Sequence, residues 1–378
     1  MDIWHLRLTF LSPIKHSLAT HQGTDNLVVK VSTDGPLPGY GEGVPRDFVT
    51  GETLAGSLAF LTETLAPAIL GQEFSSPPQL LKALRNLFQK TAGEKHPGAF
   101  CALETALLDA AGHAWGLPLR DFLGTRGTGR LIYSAVIPMA SPEQTARWFD
   151  LVKTKEMSFV KVKVGNPHDL ETLKMAREIL GWGVDLRVDA NCAWSAPAAI
   201  RRLREMQPYR LSAVEQPVAK DDFAGLKTVS AAAGLPIIAD ESLCNERDAQ
   251  RLIDLKACQI FNIRLSKCGG PLAATHIRRM AAAAGLRCQL GCHVGETSIL
   301  AALGRHFAWC APELVYLEGS FAPFLFTKDP VAQAVVFGHG GVAQELNGPG
   351  LGIEVLEPTL HELAVAHLQL AAPQLFKV

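Results

Sequence analysis

No stretch of the 378-residue sequence approaches the ~20 consecutive apolar residues of a membrane-spanning helix, so a membrane protein is not expected. Charge of one sign is also lacking. The 36 Lys and Arg balance the 37 Asp and Glu to a net −1, which argues against a nucleic-acid or membrane surface, because phosphate binding needs concentrated positive charge. The opening MDIWHLRLTF carries an acid at Asp2 and no sustained apolar core, so it does not read as a signal peptide. Paired cysteine motifs are missing too. The eight cysteines are scattered and mostly sit in apolar segments, as reduced, buried thiols of a cytoplasmic protein would. Cys288 and Cys292, followed by His293, could be read as a metal site, but four-ligand zinc sites usually show two ligand pairs. What the sequence does have is 48% hydrophobic and 19% charged residues, ample for a large core.

Residues 2–11 and 26–33 read as strands, separated by the turn-prone SPIKHSLATHQGTD. A Gly/Pro-rich loop follows, and then helical periodicity over 51–70, 78–91 and 98–115. Strands first and helices after predict an α+β domain. From about residue 130, short apolar strands alternate with helices such as 169–180, 195–206, 246–255 and 271–284. The strands are placed at 131–138, 159–164, 186–190, 213–216, 236–240, 259–265, 287–291 and 315–319, the eight that a closed parallel barrel needs. The Gly/Pro-rich tail lies outside this repeat and is expected to return to the N-terminal domain. The resulting division is 1–128, 129–338 and 339–378.

Charged residues recur at the ends of these strands. From Lys163 through Asp189, Glu215 and Asp240 to Lys267 the steps are 26, 26, 25 and 27 residues. One β/α unit of a barrel takes roughly 25–30 residues, so these groups stand at one height on successive strands, at the end of the barrel that carries chemistry. Asp189, Glu215 and Asp240 would converge there. Bare carboxylates so placed repel one another and raise their own pKa values. A hard cation with oxygen ligands, Mg²⁺, resolves this, and no His or Cys shares their phase to favour a softer metal. Lys161 and Lys163, two apart on one strand, both face the interior. Lys267 comes from the far side; three residues separate it from Arg264, so strict alternation cannot turn both inward, and Lys267 is expected just past the strand end. A lysine beside a dication and other ammonium groups has a lowered pKa and can serve as a base.

With KVK (161–163), DAN (189–191), EQP (215–217), DES (240–242), SKCGG (266–270), GETSI (295–299) and VTGET (49–53) in this order, the sequence resembles the enolase superfamily, in its muconate lactonizing enzyme subgroup. The resemblance covers essentially the whole chain. It implies an α/β fold, a (β/α)7β TIM-type barrel under an α+β capping domain made from the N-terminal segment and the C-terminal tail. It also implies Mg²⁺, with Mn²⁺ a possible substitute, on Asp189, Glu215 and Asp240. Lys163 and Lys267 would flank the α-carbon of a small carboxylate substrate, with Lys161 and Asn191 beside them. Lys267 stands where the mandelate racemase subgroup has a His/Asp pair. His293 is therefore read as a supporting or substrate-contacting group and Glu296 as one that acts through its neighbours. GCHVGETSI carries one residue more before the Glu than the subgroup pattern.

Such a lysine pair supports racemisation, epimerisation, cycloisomerisation or syn β-elimination, the last as in an o-succinylbenzoate synthase-like dehydratase. A Schiff-base lyase is the alternative from another class, though it leaves the three carboxylates unexplained. The Asp-x-Asp motif of dipeptide epimerases is replaced by YLEGSFAPF (316–324), which argues against that activity. Substrate choice is assigned to the loops around Ser17–Asp25 and Val44–Thr50 and to the eighth-strand end around Glu318–Phe324. Phe48, Phe321 and Phe324 form an expected apolar wall, and Arg46 a partner for a distal anionic group. A homo-oligomer is expected.

Overall fold

The structure is a computed structural model that describes residues 1–15, 20–35, 37–124, 127 and 130–371. Part of the Ser17–Asp25 loop and the expected domain boundary at 128/129 lie outside the described residues. In chain order the strands are β1 (Asp2–Lys15), β2 (Thr20–Val31), β3 (Gly39–Gly43), β4 (Leu131–Ile132), β5 (Ala135–Ile137), β6 (Phe159–Lys163), β7 (Asp185–Asp189), β8 (Val214–Glu215), β9 (Ile237–Ala239), β10 (Ile260–Ile263), β11 (Arg287–Leu290), β12 (Leu314–Leu317), β13 (Val342–Ala343) and β14 (Ala364–Gln369).

The first three strands form an antiparallel sheet in the order β14-β1-β2-β3. In β1, Leu6, Leu8 and Phe10 are buried while Arg7 and Thr9 face out, the alternation of a half-covered strand. Both strands run further than the sequence reading allowed. After a register shift, Ile14 pairs with His21 and Lys15 with Thr20, so much of the segment read as a turn is a two-stranded ribbon. The other face of the sheet receives the helix Pro97–Trp115. A Cβ on Gly39, Gly41 or Gly43 would lie 2.0–2.1 Å from the carbonyl oxygens of Ala106, Ala102 and Gly98. Glycine at alternate positions of β3 thus lets the sheet meet the helix backbone directly. At the other edge, β14 pairs antiparallel with β1, Asp2 opposite Gln369. The C-terminal segment therefore closes the N-terminal sheet, and Glu357 at the head of the helix Glu357–Leu363 takes hydrogen bonds from Lys30 and Tyr40, each at 2.6 Å.

The remaining strands make an eight-stranded parallel sheet, β5 through β12 in sequence order. Its ends meet: Tyr133 bridges Leu317, and Ser134 N donates to Leu317 O at 2.7 Å. This is the predicted TIM-type α/β barrel. Its first strand differs from expectation. Residues 131–138 are split, because Leu131 and Ile132 pair antiparallel with β13 and Tyr133 N donates to Gly341 O, leaving only Ala135–Ile137 in the barrel sheet. The helices Asp169–Leu180, Ala196–Met206, Glu246–Leu255 and Pro271–Ala283 follow the predicted spans closely. Val160, Val162, Leu186 and Val188 are buried between the strands and this helical layer, which leaves the alternate positions of β6 and β7 for the inside. No helix among the described residues is long and apolar enough to cross a membrane.

Candidate active site

Parallel register sets the inner layer. Lys161 is level with Arg187, Lys163 with Asp189, and Asp189 with Glu215. Asp240 follows the end of β9, and Arg264 and Lys267 both follow the end of β10. The alternation conflict disappears because neither residue is inside the strand. Among eight strands in a ring, β6 and β10 stand four apart, so Lys163 and Lys267 come from diametrically opposed walls.

Every charged group in this layer has a partner of opposite sign. Lys161 Nζ donates to Glu215 Oε1 at 3.0 Å and to Glu318 Oε2 at 2.7 Å, and lies 3.4 Å from Asp189. Burial alone would lower its pKa, but Glu215, Glu318 and Asp189 hold it above the usual lysine value, so it stays an ammonium. Lys163 Nζ donates to Asp189 Oδ2 at 2.6 Å and Asn191 Oδ1 at 2.7 Å. Burial works to raise Asp189, yet the two lysines keep it well below the carboxylate range. Glu215 goes the other way: burial and then the charge of Asp189 push it up, against Lys161. On the far wall, Lys267 is fully buried and gives its three hydrogen bonds to Asp240 O, Asp240 Oδ1 and Asn262 O, at 2.6, 2.8 and 3.0 Å. Burial and the neighbouring Arg264 charge lower its pKa. Arg264 itself pairs with Asp240 Oδ2.

Asp189 and Glu215 stand side by side, and each of the three carboxylates is met by a counter-charge. Among the described residues no three His, Cys, Asp or Glu side chains lie close enough to share one metal ion. The physical reason is that Lys161, Lys163, Arg264 and Lys267 lie between them as counter-charges. The donor set still suits a hard cation in kind. Asp189, Glu215 and Asp240 offer only oxygen donors, wholly buried, at the ends of three adjacent strands. Glu241 adds a second sign of excess negative charge. Its Oε2 is buried with no hydrogen-bond partner, and its pKa is raised by burial and then by Asp189.

A second group gathers where the N-terminal sheet covers the barrel mouth. Arg46 donates to Thr24 Oγ1 at 2.5 Å, Val294 O at 2.9 Å and Pro45 O at 3.1 Å. His293 N donates to Glu296 Oε1 at 2.6 Å. Burial lifts Glu296 to about 8 and drives His293 well below its ordinary value, helped by Arg264, Arg46 and Lys267. The loop after β11 is thus clamped to the cap, with Asn26 Nδ2 also donating to Gly295 O at 2.8 Å.

The sequence reading grouped Lys161, Lys163, Asn191, Asp189 and Glu215 and assigned Glu318 to substrate choice; the structure joins them all in one network. It sets Asp240 with Lys267, and Arg46 with His293 and Glu296. The expected apolar wall is divided: Phe321 and Phe324 pack around Phe337, while Phe48 stacks on His21. Several residues of the site went unrecognised. Arg187 pairs with Glu318 at 2.5 Å and lies over the Tyr316 ring, and Asn262 and Gln289 hold the two oxygens of Glu215. Their signal was a polar residue inside an apolar strand, in IFNI and RCQL. Gln216 has φ 35° and binds Ser242 and the backbone N–H groups of Asp240 and Ser242, tying two strand ends together in a strained turn.

A model of the mandelate racemase / muconate lactonizing enzyme N-terminal domain matches residues 3–124, and an enolase C-terminal domain-like model matches residues 144–359. An N-succinyl-L-Arg/Lys racemase of Bacillus cereus is 32% identical over 97% of both chains, and its crystal structure superposes with a TM-score of 0.89 over 97% of this chain and 98% of that one. A dipeptide epimerase of Cytophaga hutchinsonii, solved with Mg and the dipeptide D-Ala-L-Val, is 28% identical with a TM-score of 0.87 over 97% and 98% of the two chains. The muconate lactonizing enzyme of Pseudomonas fluorescens, solved with muconolactone, is 25% identical with a TM-score of 0.87 over 96% and 98%.

Proposed function

Because this chain belongs to the mandelate racemase/muconate lactonizing enzyme family of the enolase superfamily, and is therefore an isomerase of that superfamily, we propose that it interconverts the two configurations at the α-carbon of a small N-acylated amino acid. The observation that carries this reading is the pair of lysines, Lys163 and Lys267, on strands four apart in a ring of eight. A planar carbanion held between them can lose a proton to one wall and regain one from the other, which inverts the centre.

Asp189, Glu215 and Asp240 would hold a Mg²⁺ ion, whose charge, when bound, stabilises negative charge on the substrate carboxylate. The remaining work falls to the chain's own residues. Lys161, kept an ammonium by Glu215 and Glu318, is a fixed positive charge near the oxygens on which electron density builds. Lys267, lowered by burial and by Arg264, is more readily present as the neutral amine that can take the proton from the α-carbon. Asn191 fixes Lys163 from one side and Glu241 from the other through its own amide. The substrate class is suggested by the racemase and epimerase names of the relatives, and cycloisomerisation would need only one of the two bases.

The test is α-proton exchange in D₂O with the separate enantiomers of N-succinyl-alanine in the presence of Mg²⁺. The wild-type protein should exchange and invert both. Lys163→Ala should abolish exchange from one enantiomer and retain slow exchange from the other, with Lys267→Ala the mirror case. Equal residual exchange of both enantiomers in both variants removes the lysines from the role of base.

A further inference from the structure

The floor of the barrel is apolar, yet it holds an arginine. Ala213, Ile238 and Ile260 form a buried cluster with Tyr316, and the Arg187 guanidinium lies 4.1 Å from the centre of the Tyr316 ring. Arg187 is 0% exposed. Its Nη2 donates to Glu318 Oε1 at 2.5 Å, while its Nε and Nη1 are buried and, among the described residues, have no hydrogen-bond partner. A buried charge with unmet donors is destabilising, and apolar side chains of similar volume often replace such a group without loss of stability. Packing on the floor therefore does not account for an arginine, which leaves its bond to Glu318. The other oxygen of Glu318 accepts from Lys161 Nζ at 2.7 Å. Lys161 is shared in turn with Glu215 at 3.0 Å and Asp189 at 3.4 Å. One ammonium thus faces three carboxylates, and Arg187 takes up part of the charge of one of them. The line from Arg187 through Glu318 to Lys161 crosses the barrel. Arg187 is on β7 and Glu318 follows the end of β12, with β6 and β5 between them in the closed ring. Lys161 and Arg187 are level in the parallel register, so both grip the same carboxylate from one height.

We propose that Arg187 is a positioning residue for the proton transfer: by holding Glu318 Oε1 it turns Oε2 toward Lys161, and so fixes where the Lys161 ammonium stands beside the substrate carboxylate. The inference rests on the proton-transfer reading for what Lys161 does, and on the geometry alone for how Lys161 is held. Arg187 stands two residues before Asp189 on β7, roughly 6–7 Å deeper in the barrel, so it acts through Glu318 rather than on the substrate. Without Arg187, one oxygen of Glu318 is released and the carboxylate follows Lys161 alone. A displacement of the ammonium by about 1 Å then suffices to slow the reaction about a hundredfold. A lysine at this position would keep the charge but lacks the planar fork that stacks on Tyr316, so it restores only part of the hold.

Two measurements on the full-length protein test this. One is kcat and KM for α-proton exchange of N-succinyl-alanine with Mg²⁺. The other needs no substrate: the side-chain NMR resonance of Lys161 in lysine-labelled protein, assigned by its absence from Lys161→Arg. Arg187→Met should lower kcat about a hundredfold and leave KM within about threefold. It should also shift the Lys161 resonance, while that of Lys267 on the opposite wall stays in place. Arg187→Lys should recover part of kcat. Because Arg187→Met strands Glu318, the double variant Arg187→Met/Glu318→Gln is compared with Glu318→Gln. Their turnover should agree within about threefold, as residues acting along one path require. An unmoved Lys161 resonance in Arg187→Met overturns the positioning role. So does a double variant slower than Glu318→Gln by the full factor of the single change, or an Arg187→Lys as slow as Arg187→Met. The parent reading fails separately. No exchange in the wild type, with a Lys161 resonance that still moves in Arg187→Met, sinks proton transfer and leaves the hold on Lys161. Wild-type exchange with an unmoved resonance does the reverse.

Discussion

Buried acids occupy two regions of this molecule and are handled in opposite ways. In the barrel mouth, Asp189, Asp240 and Glu318 are matched by lysines and arginines. Within the cap and at its seam with the barrel, Glu42, Glu52, Glu104 and Asp109 are matched almost wholly by neutral donors. Glu42 accepts from Thr297 N and Oγ1, Leu300 N and Asn26 Nδ2, at the head of the helix Ser298–Trp309. Glu52 accepts from Gly98 N and Ala99 N at the head of Pro97–Trp115, and Glu104 from Leu272 N at the head of Pro271–Ala283. The pKa values divide along this line except at Glu215 and Glu241 in the mouth, which burial and then Asp189 push up. Burial lifts Glu42 to about 7, Glu104 to about 8 and Asp109 to about 6, whereas cations hold Asp189 and Glu318 low. The difference teaches that a buried carboxyl used for docking needs only to accept hydrogen bonds, while one used for chemistry must keep its charge.

Removing charge in the mouth is expected to have the largest effect. Glu215→Gln keeps the side-chain shape and hydrogen-bonding capacity, yet should cut turnover by about a thousandfold, in the range for losing a preorganised charge, with little change in thermal midpoint. Retention of more than about a tenth of wild-type turnover, measured by polarimetry, would mean the charge of Glu215 is dispensable.

At the seam, the lost acceptor should matter and the lost charge should not. Glu42→Ala strands the donors of Asn26, Thr297 and Leu300 and should cost about 2 kcal/mol or more in urea unfolding. Glu42→Gln should cost clearly less. If the two variants are equally destabilised, the contrast between the regions fails.

The smallest effect is a pH dependence. Glu104 holds its proton more tightly folded, at about 8, than an ordinary glutamate at 4.5 would unfolded. Between those values the folded state binds more protons, so its contribution to stability is full below about 4.5 and is lost as pH rises toward 8. Glu104→Gln should flatten the fall in stability over pH 5–8 and be slightly more stable than wild type at pH 8. An unchanged slope of stability against pH would show that Glu104 is not the group responsible.

Much of the site was readable from spacing, because one charged residue per β/α unit leaves a regular mark. Lys163, Asp189, Glu215, Asp240 and Lys267 carry it. Arg187, Asn262 and Gln289 do not, since a single polar residue in an apolar strand looks the same whether it faces a helix or the barrel axis. The ribbon formed by β1 and β2 was missed for a similar reason. SPIKHSLATHQGTD has turn composition, and only its pairing partner makes Ile14 and His21 strand residues.

The amino-acid sequence by itself determined the alternation of strands and helices, the inward parity of Lys161 and Lys163, and the height at which the charges stand, all of which follow from local periodicity. Tertiary structure alone decided which charge meets which. Closure through Tyr133 and Leu317 makes β6 and β10 opposite walls, and the seating of the cap brings Arg46 to His293. It also decided that each of the three carboxylates is paired with a lysine or an arginine from another strand. The physical reason is that periodicity is a property of a segment, whereas an ion pair depends on the distance between segments, which only packing sets.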